Sequence, residues 1–122
     1  MDLKKGEILL ISKDPIKGNL NLVILSSLLD SEKYGYEITK QVHALTDGQI
    51  QLKEGSLYPA LHKLEKQGLI EGYWVQHEPG KPNRKYYCLT AQGRQTIELE
   101  KEKWQIFIRT MGRVIYGDNP GI

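Results

Sequence analysis

The sequence is short of cysteine, of net charge and of long apolar runs. Its one cysteine, Cys88, cannot form an internal disulfide, which excludes a disulfide-stapled scaffold and fits a reducing cytosol. No run of about 18 or more apolar residues occurs, so no membrane-spanning helix is expected. The run Ile8-Leu9-Leu10-Ile11 is too short for a signal-peptide core and is ended by Ser12-Lys13-Asp14, so a cytoplasmic location is expected. There is no internal repeat, no low-complexity tract, no Gly-rich phosphate loop and no nucleophile signature. His43, His62 and His77 show no metal-ligand spacing with Cys88. No catalytic residue, no metal and no cofactor are expected, and the chain is not read as an enzyme. Cys88 is read as a buried or inert thiol rather than a redox sensor. A net charge of +2 neither requires nor excludes nucleic acid, so the placement of the cations has to decide.

The 122 residues, 39 % hydrophobic and 26 % charged, suffice for one globular domain. Leu22, Leu25, Leu28 and Leu29 recur at helical spacing and predict a central helix. Ile38, Val42 and Leu45 give the inner face of a second helix, Tyr36 to Thr46, closed by the turn Asp47-Gly48. Gln49 to Lys53 alternates with period two and predicts a short strand. Ser56 is a candidate N-cap for a third helix with Leu57, Ala60, Leu61 and Leu64 inward, Pro59 in its first turn and Gly68 just past its end. Leu69–Glu78 and Arg84–Leu89 flank Pro79-Gly80-Lys81-Pro82-Asn83 and predict a β-hairpin, with Tyr87 and Leu89 on the core face. Thr90 caps a last helix, Ala91 to Ile115, whose stripe is Ile97, Trp104, Ile108, Met111 and Ile115, interrupted by Lys101.

A helix of about 25 residues spans about 37 Å, more than this small body can cover. A second copy is the simplest partner for that stripe. The predicted fold is mainly α with a small β-hairpin (α+β), a winged helix-turn-helix followed by a long C-terminal dimerisation helix. Its divisions are an N-terminal appendage (1–15), the winged helix (16–90), the dimerisation helix (91–116) and a tail (117–122).

A winged helix reads DNA when its third helix shows the major groove a polar face. Tyr58, His62 and Glu65 form such a face opposite the leucines, flanked by Lys63 and Lys66. Ser56 stands at the positive end of the helix dipole, where a phosphate is favoured. The hairpin holds Lys81, Arg84 and Lys85 with no acidic residue between Glu78 and Glu98. Those cations are placed to straddle a phosphate strand or enter the minor groove, and Lys17, Gly18 and Asn19 offer further phosphate contacts. The rival reading is a winged helix that binds protein without specific DNA binding. The polar, basic third helix lacks the apolar anchors such a face needs.

Three ordered segments carry a resemblance. Glu54-Gly55-Ser56-Leu57-Tyr58-Pro59-Ala60-Leu61-His62-Lys63-Leu64-Glu65-Lys66-Gln67-Gly68-Leu69-Ile70 resembles the recognition-helix signature of PadR-like transcriptional regulators. Gly18-Asn19-Leu20, then Tyr34-Gly35-Tyr36-Glu37-Ile38, resembles the family's opening, and Arg84-Lys85-Tyr86-Tyr87-Cys88-Leu89-Thr90-Ala91-Gln92-Gly93-Arg94 resembles its wing strand and the turn into the last helix. The resemblance implies a homodimeric repressor on a palindromic operator in double-stranded DNA. It implies DNA contacts at Ser56, Tyr58, Pro59, His62 and Lys63, with Lys81, Arg84 and Lys85 from the wing. Some small members of the family bind flat aromatic compounds between facing tryptophans, and Trp104 lies at the matching place. Trp74 also resembles their pattern. The resemblance therefore offers Trp104 as a possible effector-binding residue, beside its reading as a packing anchor of the dimer. Phe107 and Ile108 stand close enough in sequence to fill such a pocket.

Overall fold

The computed structural model describes residues 18–76 and 78–117. The expected N-terminal appendage, Lys17, His77 and the tail beyond Gly117 lie outside the described residues. Among them are four helices and a three-stranded antiparallel sheet: α1 (Leu20–Ser27), β1 (Lys33–Tyr34), α2 (Gly35–Leu45), α3 (Glu54–Lys66), β2 (Ile70–Val75), β3 (Arg84–Leu89) and α4 (Ala91–Tyr116). The expected α+β winged helix with a long last helix is observed.

The core gathers Ile24 and Leu25 of α1, Ile38 of α2, Leu57, Leu61 and Leu64 of α3, Ile70 of β2 and Ile97 of α4, all at most 2 % exposed. Their helical spacing puts one stripe per helix inward, and burying a side chain of this size stabilises by about 1.5–3 kcal/mol. Lys33 closes α1. Its buried ammonium donates to the Ser27 carbonyl (2.7 Å), Asp30 Oδ1 (2.6 Å) and Ser31 Oγ (3.0 Å). A cation is favourable at a helix C-terminus, and each lone pair it satisfies there offsets part of its desolvation.

The expected strand at Gln49–Lys53 is not formed. The third strand is instead β1, which pairs Lys33 with Tyr87 and Tyr34 with Tyr86, giving the sheet order β1-β3-β2. β1 takes the free edge of β3, and the alternation at 49–53 reflects burial within a loop. Leu52 is buried and Ile50 half-buried against the core, without a ladder. Leu45, expected on the inner face of α2, is 75 % exposed, because as the last helical residue it overhangs a groove beside α1.

α3 begins earlier than its sequence signals suggest. Lys53 is the N-cap, so Ser56 is the third helical residue and Pro59 lies inside the helix rather than in its first turn. Its end is as expected. Gly68 has φ +78°, its N–H donates to the Glu65 carbonyl (3.0 Å), and the Leu69 N–H donates to the Leu64 carbonyl (3.1 Å). That pattern is a Schellman motif, which needs a residue tolerant of the left-handed conformation. β2 and β3 pair from Ile70–Leu89 to Val75–Arg84. Thr90 caps α4 as expected, accepting from the Gly93 N–H at 3.0 Å and donating to the Gly68 carbonyl at 2.6 Å. α4 then runs for 26 residues, about 39 Å at about 1.5 Å each.

Candidate nucleic-acid interface

The outer face of α3 carries Ser56, Tyr58, Pro59, His62 and Lys63, all exposed. Tyr58 does not stand free. A Cβ placed on Gly35 would lie 2.6 Å from its hydroxyl and 2.8 Å from Cζ, so the ring rests on the first residue of α2. Gly35 has an ordinary helical backbone, so its lack of a side chain serves this close approach rather than the turn into α2 that its position in the sequence suggests. The Tyr58 side of α3 is thereby keyed to α2, while the ring stays 45 % exposed.

The wing is keyed to α3 from the other side. Lys85 Nζ is 3.0 Å from Glu65 Oε1 and 5.4 Å from the centre of the Tyr87 ring. Both Lys85 and Glu65 are half-buried, and the hydrogen bond to Glu65 raises the Lys85 pKa. Gly72 clears the space, since a Cβ there would meet Lys85 Cε at 2.5 Å and Glu65 Oε2 at 3.1 Å. Lys85 thus faces α3 instead of projecting from the wing. Of the three expected wing cations, Lys81 and Arg84 are exposed.

Arg84 has its guanidinium 4.5 Å from the centre of the Tyr34 ring, on the opposite face of the sheet. Tyr34 packs edge-on against Tyr86 at 5.3 Å, and Tyr86 stacks on Tyr73 at 6.2 Å. Tyr73 has its phenol pKa raised, chiefly by a hydrogen bond with Glu32. This tyrosine row steadies Arg84 through a cation–π contact. Sequence reasoning missed it, because it needs the pairing of β1 with β3. Cys88 shares that face, and its thiol donates weakly to the Glu71 carbonyl at 3.7 Å. Burial and the Glu32 and Glu71 carboxylates push its pKa up, the reverse of a reactive thiolate.

The five residues expected at the dimer interface divide. Ile97 is fully buried in the protomer's own core. Trp104 (38 %), Ile108 (54 %), Met111 (38 %) and Ile115 (62 %) are exposed along the free part of α4. Trp104 packs against Phe107 with ring centres 5.7 Å apart. It also borders an apolar groove of about 440 Å³ between α1 and α2, lined by Leu22, Val23, Gln41 and Leu45 among others. Gln41 Oε1 is buried with no hydrogen-bond partner among the described residues. Among those residues no cluster of His, Cys, Asp and Glu is arranged to hold a metal, and no helix is long and apolar enough to cross a membrane.

The transcriptional regulator PadR-like family model matches residues 24–99. An uncharacterized protein X of Lysinibacillus sphaericus is 37 % identical over 94 residues, 76 % of this chain and 85 % of that protein. The transcriptional regulator YqjI of Escherichia coli is 37 % identical over 86 residues, but the chain spans only 39 % of its length. Among solved structures, a transcriptional regulator from Clostridium thermocellum superposes with a TM-score of 0.74 at 33 % identity, covering 82 % of this chain and 96 % of that one. Bacillus subtilis PadR in complex with operator DNA superposes with a TM-score of 0.59 at 30 % identity, over 71 % of this chain and 46 % of that one. With the winged-helix geometry and the family match in agreement, the chain belongs to the PadR-like family of transcriptional regulators.

Proposed function

We propose that the chain is a sequence-specific transcriptional repressor that binds a palindromic operator as a homodimer and is released by a small aromatic effector. The observation that carries the DNA reading is the exposed polar face of α3, with Tyr58 seated on Gly35 and the wing braced to α3 through Glu65 and Lys85. In this reading α3 enters the major groove, where Tyr58, His62 and Lys63 meet base edges and phosphates, and Ser56 and Pro59 border the backbone. Lys81 and Arg84 hold the neighbouring phosphates from the wing. The homodimer reading is supported by the exposed stripe of Trp104, Ile108, Met111 and Ile115 on a helix that runs well past its own core. The effector reading is supported by the groove beside Trp104, an apolar space bordered by Gln41, whose buried side-chain oxygen has no partner among the described residues.

The test is a titration of the protein into a fluorescent duplex from upstream of its own gene and into a scrambled duplex, at several salt concentrations. Far tighter binding to the native duplex, falling steeply with salt, is the expected result. Equal, weak binding to both would favour a winged helix that binds protein. Aromatic compounds should then weaken the specific complex, and no response to any of them would remove the effector from the reading.

A further inference from the structure

Trp74 is 69 % exposed, more than any other described tyrosine, phenylalanine or tryptophan. Burying so large an apolar surface is strongly favourable, so leaving it in water in the free protein points to a partner. Its position says which. Trp74 lies on β2 two residues beyond Gly72 and therefore on the same face, the one that Lys85, Tyr87 and Glu65 occupy. It pairs across the ladder with Lys85, whose ammonium is already held by Glu65 of α3. The next pair outward along the wing is Val75 with Arg84. Trp74 thus stands in the angle between the recognition helix and the wing, one step beyond the Glu65–Lys85 bridge. The cation paired with it across the ladder is already neutralised by Glu65, so the surface there suits an uncharged, flat contact rather than a phosphate.

We propose that Trp74 is a DNA-contacting residue of the wing, its indole packing on the deoxyribose rings of the strand that passes between α3 and the wing. The proposal rests on the operator-binding reading above. Such a contact adds affinity without adding a phosphate contact, so it leaves the salt dependence unchanged.

Wild type, Trp74→Phe and Trp74→Ala are titrated into the operator duplex at several salt concentrations, with acrylamide quenching of tryptophan emission in the presence and absence of DNA. Expected are affinity about tenfold weaker for Trp74→Ala (about 1.4 kcal/mol), most of it retained by Trp74→Phe, and an unchanged salt slope. Adding duplex should protect the wild-type emission from quenching and leave that of Trp74→Phe little changed. Wild-type affinity in Trp74→Ala, with quenching insensitive to DNA, overturns this contact and leaves the operator reading standing. A wild type that binds no duplex specifically overturns the operator reading itself. A changed sedimentation coefficient or thermal midpoint in Trp74→Ala would assign the indole to a protein interface and also overturn the proposal.

Discussion

Gly35→Ala tests the seat of Tyr58 more directly than mutation of Tyr58 itself. The added methyl would lie 2.6–2.9 Å from the hydroxyl, Cζ and Cε1 of Tyr58, so the ring must move. Two effects on stability oppose each other. Alanine is favoured over glycine inside a helix by up to about 1 kcal/mol, less at a first helical position. Crowding a packed site costs about 1–3 kcal/mol, but Tyr58 is 45 % exposed and can swing outward, which puts the cost at the low end. The net change should stay within about 1 kcal/mol, a few degrees in Tm. DNA binding has no such compensation. In the operator-binding reading proposed above, displacing the Tyr58 contact costs about 1–3 kcal/mol, about 5- to 150-fold in Kd. The assay is a duplex titration of Gly35→Ala beside Tyr58→Ala, with thermal unfolding as the control. Wild-type affinity in Gly35→Ala together with a loss in Tyr58→Ala would show that the seat is not needed. An unfolded Gly35→Ala would show that the glycine is structural.

Three further outcomes are expected. Gly93→Ala would drive a methyl into the backbone carbonyl of Leu69, where no side chain can yield, so it should destabilise by about 3 kcal/mol or more and lower Tm by about 10 °C or more; a Tm within a few degrees of wild type would contradict the packing of α4 against the turn between α3 and β2. Glu65→Gln should release the Lys85 ammonium toward DNA at a stability cost of about 1 kcal/mol or less, tightening binding and steepening the salt slope by up to about one contact; unchanged affinity and slope would count against the bridge. Alkaline titration should destabilise the fold above about pH 10. Burial raises the Tyr87 pKa above its ordinary 10.0, and Glu65 raises that of Lys85 above 10.5. The unfolded chain therefore loses these protons first and binds fewer than the native one, so stability falls as pH rises through this window, and a Tm constant to pH 11 would refute it.

How much of this was legible in the sequence depends on whether a signal is local. The apolar stripe of α3, the Gly68 stop and the Thr90 cap are set by neighbours within a turn or two and appear as expected, while the stripe of α2 holds only as far as Val42. The strand at 49–53 failed because period two reports alternate burial, and Ile50 and Leu52 are alternately buried with no partner strand. β1 was invisible because two residues carry no period, and only the free edge of β3 makes Lys33–Tyr34 a strand. At the site, the exposed row on α3 and the wing cations Lys81 and Arg84 followed from composition and spacing. The inward turn of Lys85 did not, because it depends on Gly72 lying across the ladder and Glu65 lying 20 residues away in sequence. Ile97 was assigned to the dimer because periodicity places it on the same stripe as Trp104. It cannot tell where along α4 the protomer's own core ends.

That boundary on α4 can be measured. Ile97 is completely buried within one protomer, so Ile97→Ala should cost about 2–5 kcal/mol whatever the concentration. Ile108 is 54 % exposed, so Ile108→Lys places a charge in water if the chain is monomeric and into an apolar interface if it is dimeric. In a homodimer, stability depends on protomer concentration. The wild-type Tm should therefore rise with concentration, and sedimentation should report a dimer. Ile108→Lys should sediment as a monomer, with a Tm that no longer depends on concentration. Trp104→Ala should weaken dimerisation to a lesser degree, because it removes an anchor without adding a charge. An Ile108→Lys chain that remains dimeric would place the interface off this stripe. A wild type that is monomeric would leave Trp104, Met111 and Ile115 without the cover proposed for them.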